Sequence, residues 1–386
     1  MSAEFIKMVS ELQFERFNMH MSESIRNRTP VGIFFGFDFN PKVVVANVQM
    51  FLNNKLNVTC VIVLVDAQAD ALKNLVSVPV IKLEEFPRFG EKNFPTKPQE
   101  IFLMTLQNLA FTDYFSRHGM EVLTHSDDGI FFFMMTHLPE LYGVYEMLGS
   151  DESKKVFRAA IKGRLTGKIF DYRFASEPQY FLEGFTPAAG DIAIDGGAFD
   201  GATALSFAKR GAKVFAFELD AINFKNCAAR LNDSKFDITL ENLGLSDKES
   251  VENYAHIGSA SRKLPQGNLK AKFIDLDTYV ARKNLPRVDY IKLDIEGAEL
   301  EMLHGAAKTI TRCKPKMAVS AYHKPEDLWT LATYIKSLRP DYEFEFRHYR
   351  IDSSDYMLND EERRVLRYFG LNYLVPTACE MVLYCR

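Results

Sequence analysis

Residues 191–203 read Asp-Ile-Ala-Ile-Asp-Gly-Gly-Ala-Phe-Asp-Gly-Ala-Thr. An apolar strand through Ile192, Ala193 and Ile194 ends on Asp195. Gly196 and Gly197 then permit a sharp turn, and Gly201 opens an apolar helix carrying Leu205, Phe207 and Ala208. A strand that passes through a glycine turn into a helix gathers free backbone N–H groups and the positive helix end at one spot, which suits a small ligand. About twenty residues on, a second apolar strand from Val214 to Phe217 ends in Glu218, where α/β nucleotide sites place an acid for ribose hydroxyls. The pattern predicts a nucleoside-cofactor site on a parallel α/β sheet.

The glycine spacing argues against a dinucleotide and so against a small-molecule oxidoreductase. A pyrophosphate cradle needs Gly-x-Gly-x-x-Gly. Counting from Gly196 or Gly197 puts Ala198 or Phe199 where that pattern wants glycine. Asp195 would repel a pyrophosphate but suits a cation. S-adenosylmethionine carries a sulfonium and an ammonium, so an acid at this turn favours it electrostatically.

A third landmark is the apolar strand Val288-Asp-Tyr-Ile-Lys-Leu-Asp294, which runs into Ile-Glu296-Gly297-Ala-Glu299. Together with Asp-Gly-Gly-Ala-Phe-Asp-Gly at 195–201, Phe217-Glu218 and Leu-Ser-Asp-Lys-Glu at 245–249, it closely resembles the FkbM-type methyltransferases over roughly residues 175–350. Gln179-Tyr180-Phe181 and Tyr322-His323-Lys324 are smaller echoes. The resemblance implies S-adenosylmethionine as cofactor and O-methylation of a saccharide or glycoconjugate hydroxyl. It also implies a Rossmann-like class I domain with a seven-stranded doubly wound sheet, whose last strand runs antiparallel. The cofactor contacts expected are Asp195, Gly196, Gly197, Ala198, Phe199, Gly201, Glu218, Leu219, Asn242 and Asp294. A degenerate fold that binds cofactor or nucleotide-sugar without turnover is the competing expectation.

A chain of 386 residues has room for two domains. Hydrophobic residues at 47% and charged ones at 25% give the ordinary globular balance. A net charge of −4 supplies no field for non-specific nucleic-acid binding. Cys60, Cys227, Cys313, Cys379 and Cys385 have no paired spacing and read as reduced thiols of a cytoplasmic protein. No apolar run approaches the roughly 18 residues of a membrane span, and residues 1–27 lack the apolar core of a secretory signal.

Along the chain, near-helical apolar spacing over 2–26 predicts an amphipathic helix. Strands over 31–37, 58–65 and 78–83 alternate with helices over 43–52 and 69–75, a small Rossmann-like sheet. A loop over 86–98 and helices over 99–108 and 109–118 follow. Gly36 alone does not make a phosphate loop. The expected division is an α/β domain at 1–137 for substrate recognition or oligomerisation, a helical linker at 138–190, and a methyltransferase domain at 191–386. The linker carries Lys154, Lys155, Arg158, Lys162, Arg164 and Lys168, a solvated face or a rim for substrate phosphate. Catalytic-domain strands are expected at 191–195, 213–218, 236–242, 288–294, 316–321, 342–347 and 380–385. Helices are expected at 201–210, 222–231, 299–310 and 324–338, with a helical or loop excursion over 353–377.

A hydroxyl acceptor needs a base within hydrogen-bond reach. The candidates are His323, whose imidazole suits base work, Asp294 and Glu296, with His348 ranked below them. Asp294, Glu296 and His323 also have the donor types of a divalent-cation site. Zinc-type spacing is absent and no metal is assigned. The acceptor is a small molecule or glycan, with nucleotide-linked and lipid-linked forms both open, and a homo-oligomer is compatible with the chain.

Overall fold

The computed structural model describes residues 29–37, 39–94, 99–103, 111–123, 133–166, 172–232, 234–352, 360–371, 374–375 and 380–386. The expected helix over 2–26 and much of the 353–377 excursion lie outside them. The chain forms two compact units. One comprises residues 1–136, 158–173 and 350–378; the other comprises 137–157, 174–349 and 379–386. The continuous division read from sequence does not describe this grouping. The helix Asp151–Thr166 divides between the units, and the chain returns to the first unit at 350 before its final strand.

The first unit is a parallel sheet of β1 (Pro30–Phe35), β2 (Asn57–Val63), β3 (Val80–Lys82), β4 (Gln99–Leu103) and β5 (Met120–Leu123), in the order β3-β2-β1-β4-β5. Side chains alternate across a strand. Ile33 and Phe35 therefore pack with Val44, Val48 and Phe51 of the helix Pro41–Asn53, while Phe34 faces Phe86, Phe111 and Phe115. Residues 99–103 are a strand rather than the start of a helix, because pairing with β1 overrides their local pattern. The expected loop over 86–98 contains the helix Phe86–Asn93, with Pro87 in its first turn, where a missing N–H costs nothing.

The second unit holds β6 (Ile192–Gly196), β7 (Lys213–Phe217), β8 (Ile238–Glu241), β13 (Tyr290–Leu293), β14 (Lys316–Ser320), β15 (Phe344–His348) and β18 (Met381–Cys385). Their order is β15-β18-β14-β13-β6-β7-β8, parallel except that β18 runs antiparallel to both neighbours. The seven-stranded doubly wound class I architecture is present. Between β8 and β13 no strand is expected from the sequence pattern. There the chain builds β9 (Gly244–Ser246), β10 (Ser250–Ala255), β11 (Arg262–Lys263) and β12 (Leu269–Asp275), a sheet ordered β11-β10-β12-β9. The short β16 (Ile351–Asp352) and β17 (Leu374–Val375) pair in the first unit. No helix among the described residues is long and apolar enough to cross a membrane.

Candidate active site

The sheet order reverses between β6 and β13, and ligands of open α/β sheets bind beyond the strand ends at such a point. The two strand ends touch there. A Cβ on Gly197, whose φ is +77°, would lie 1.8 Å from the Asp294 carbonyl oxygen, so only glycine fits. Gly201 (φ +83°) precedes the helix Ala202–Lys209, and its missing Cβ leaves room for Cys227 Sγ at 2.8 Å. Ala198 is buried in the core, and its N–H bonds the Phe217 carbonyl. Phe199 adopts φ +48° and donates its N–H to Glu218 Oε2 at 2.8 Å, while Asp220 N–H reaches Oε1 at 2.9 Å. Burial pushes the Glu218 carboxyl up to about 7, against the opposing pull of these N–H groups. Asn242 donates to the carbonyls of Glu218 and Leu219, tying β8 to this corner.

Asp195 stands differently from the ligand-facing acid expected of it. It is fully buried, and Lys292, itself 3% exposed, lies 3.2 Å from its Oδ1. Lys292 also donates to the carbonyls of Gly196 and Gly197 at 3.1 and 2.7 Å. The acid therefore braces the turn from beneath through a lysine on the neighbouring strand. Lys292 passed unnoticed in the sequence because it sits within an apolar strand.

Around Asp294 a polar cluster converges from four segments. Tyr180 and Tyr322 donate their hydroxyls to its two oxygens at 2.8 and 3.2 Å. Tyr322 also reaches Glu380, which accepts from Gln179 at 2.5 Å. Burial would raise the Asp294 pKa, but the charges of Lys292 and His323 outweigh it and hold the carboxyl below its ordinary range. Burial and the Asp294 charge push Glu380 up to about 7. His323 sits among three carboxylates: Nε2 is 3.5 Å from Asp294 and 3.4 Å from Glu296, and Nδ1 is 3.0 Å from Glu299. Burial disfavours the imidazolium, but Glu299, Glu296 and Asp294 together raise its pKa well above the ordinary value. The surrounding acids favour the protonated ring, which counts against the expectation that its imidazole range fits it for base work. His348, the weaker candidate, is fully buried against Phe174.

Tyr180, Phe199, Glu296 and Glu380 all hold left-handed backbone (φ +67°, +48°, +57° and +59°), and all belong to this constellation. Strained non-glycine backbone concentrates where function over-determines geometry. A cleft of about 470 Å³ opens beside it, lined by Arg262, Lys263, Pro265, Glu296, Gly297, Ala298, Glu301, His323 and Lys324. Lys154 and Lys155, the described basic residues of 154–168 that belong to this unit, do not line it. A crevice of about 20 Å³ next to Gly197, Leu219 and Ile295 shares Lys263 and Ala298 with it. Residues 195–370 match the family model of the methyltransferase FkbM domain. The chain carries an FkbM methyltransferase domain.

The solved FkbM methyltransferase from Methylobacillus flagellatus KT has the same fold, with a TM-score of 0.64 and 19% identity, over 99% of this chain and 98% of that one. Precorrin 8W decarboxylase from Methanobacterium thermoautotrophicum aligns over 52% of this chain and 82% of its own, at 16% identity and a TM-score of 0.31. Precorrin-6y C5,15-methyltransferase from Geobacter metallireducens GS-15 aligns over 55% and 94%, at 11% identity and 0.31. The two lower scores carry no weight here. A search of curated proteins returns no match. Within the FkbM domain, Gly197, Phe199, Glu218 and Asp294 meet at the switch point, and Glu296 and His323 line the cleft. Tyr180, Lys292, Glu299 and Glu380 complete the site and had no role in the sequence reading beyond the family echo at Tyr180 and the motif at Glu299.

Proposed function

We propose that this chain is an S-adenosylmethionine-dependent O-methyltransferase acting on a hydroxyl of a saccharide or glycoconjugate. The observation that carries the proposal is the meeting of the Gly197 turn with Glu218 and Asp294 at the switch point, two residues from Glu296, which lines the cleft. Bound there, S-adenosylmethionine supplies a methyl group activated on cationic sulfur. Each Glu218 oxygen keeps a lone pair beyond its backbone bond, so the carboxylate can accept from two ribose hydroxyls. Asp294, fixed by two tyrosine hydroxyls, places negative charge beside the cationic end. Glu296 lines the cleft and is the proposed base: its carboxylate would accept the proton that the acceptor hydroxyl gives up on methylation. The His323 ring lies 3.4 Å from Glu296 and 3.5 Å from Asp294 and positions both.

Arg262 and Lys324 are exposed cations of the cleft, and neither has an ion pair within the site. They support an acceptor that carries a phosphate or carboxylate. We assign acceptor recognition or self-association to the first unit, and the free thiols of Cys60, Cys227, Cys313 and Cys385 support a cytoplasmic setting. The alternative is a degenerate fold that binds cofactor or nucleotide-sugar without turnover, which methyl transfer distinguishes from the enzyme. A thermal-shift titration decides. S-adenosylmethionine should raise Tm where NAD does not, and labelled methyl should pass to a fractionated glycan extract. No stabilisation by S-adenosylmethionine would overturn the proposal.

A further inference from the structure

We propose that Asp294, Glu299 and His323 form a binding site for one divalent cation of the manganese class. They come from three places in the fold: the end of β13, the first turn of the helix Glu299–Gly305, and the loop after β14. One donor atom from each lies within 4.8 Å of the others. Glu299 is fully buried and the His323 side chain is 8% exposed. Both ring nitrogens and Glu299 Oε2 nevertheless lack a hydrogen-bond partner. The 3.0 Å approach of Nδ1 to Glu299 Oε1 is an ion-pair contact when the ring is protonated. Buried polar atoms left unmatched call for a ligand that the protein itself does not provide.

Charge points the same way. Asp294, Glu296 and Glu299 surround one imidazole, and a bound cation would take the place of the proton that these acids otherwise draw to the ring. One nitrogen and two carboxylate oxygens, with no sulfur, suit manganese or magnesium better than a structural zinc. The hydroxyls of Tyr180 and Tyr322 orient Asp294 as outer partners orient metal ligands. His323 lines the open cleft, which gives an ion a path in. The sequence pointed to Glu296 as the second carboxylate. The fold puts Glu299 there, with Glu296 left facing the cleft. On the reading that this is an O-methyltransferase, such an ion would hold the acceptor hydroxyl and make it more acidic beside Glu296.

The test uses the full chain, stripped with chelator and titrated with Mn²⁺ in the absence of S-adenosylmethionine. Loss of the free-ion electron paramagnetic resonance signal should report one bound equivalent. Pulsed measurements of that equivalent should show coupling to an imidazole ¹⁴N. His323→Ala and Glu299→Gln should weaken binding about 100-fold, the upper range for disturbed metal sites, while Glu249→Gln on the surface binds as the parent does. Thermal melts identify any variant that fails to fold, in which case the ¹⁴N coupling in the parent decides alone. A parent that binds no stoichiometric Mn²⁺, or binds it without nitrogen coupling, overturns the site. A separate cofactor titration keeps the two proposals apart, because Mn²⁺ binding without S-adenosylmethionine binding sinks only the enzymatic one.

Discussion

At the scale of single residues, the site depends on charges that the fold has taken out of water. Lys292 and Asp195 are both buried, and removing one partner of such a pair costs about 3–5 kcal/mol. Lys292→Met should lower the unfolding free energy by that order in urea at pH 7, and Asp195→Asn on top of it should recover part of the loss. Equal stability of parent and Lys292→Met would show the pair to be dispensable. Glu218 has a folded-state pKa near 7 against an ordinary value of 4.5. The unfolded chain therefore releases this proton first, and the contribution of Glu218 to stability declines as pH rises from about 4.5 to about 7. Glu218→Gln should flatten that slope in melts recorded at pH 5 and pH 8. Glu218→Ala should weaken S-adenosylmethionine binding by about 10–100-fold, the value of one or two hydrogen bonds to a charged acceptor. Unchanged affinity by calorimetry would remove Glu218 from the cofactor site.

Among the elements, the small sheet of β9 to β12 decides access. β11 brings Arg262 and Lys263 to the cleft; Lys263 pairs with Glu252 of β10 at 2.7 Å and ties the sheet to the helix Glu299–Gly305 through Glu301 at 2.6 Å. Lys263 and Phe273 also line the crevice of about 20 Å³, far below the few hundred Å³ of ordinary ligand pockets. On the proposed cofactor site, S-adenosylmethionine enters only when Lys263 swings aside. Lys263→Ala should speed S-adenosylmethionine association in stopped-flow measurements without slowing its release. An unchanged association rate would mean that another element closes the crevice.

For the molecule as a whole, the two units are discontinuous in sequence yet have separate cores. Trp329, the only tryptophan in the chain, belongs to the second unit, where it stacks on His137 at 4.9 Å. Its fluorescence therefore reports that unit alone, while far-ultraviolet circular dichroism reports both. Urea unfolding should give transitions that do not coincide between the two probes, as chains of more than one domain often do. S-adenosylmethionine should move the tryptophan midpoint upward by mass action. Coincident curves with and without ligand would show that the units unfold as one.

The strand ends, the glycine turn and the acids Glu218 and Asp294 were legible in the sequence because each depends on local pattern: an apolar run, a glycine that no other residue can replace, a charge where the run stops. The doubly wound sheet followed from the order of those runs. The β9–β12 sheet was not legible, since its strands are short and half-exposed and take their pairing from distant neighbours. The pairing of Asp195 with Lys292 and the gathering of Asp294, Glu296 and Glu299 around His323 were decided only by tertiary structure. Each depends on which charges are brought within about 4 Å of one another in a medium that screens them poorly, and no spacing along the chain records that distance.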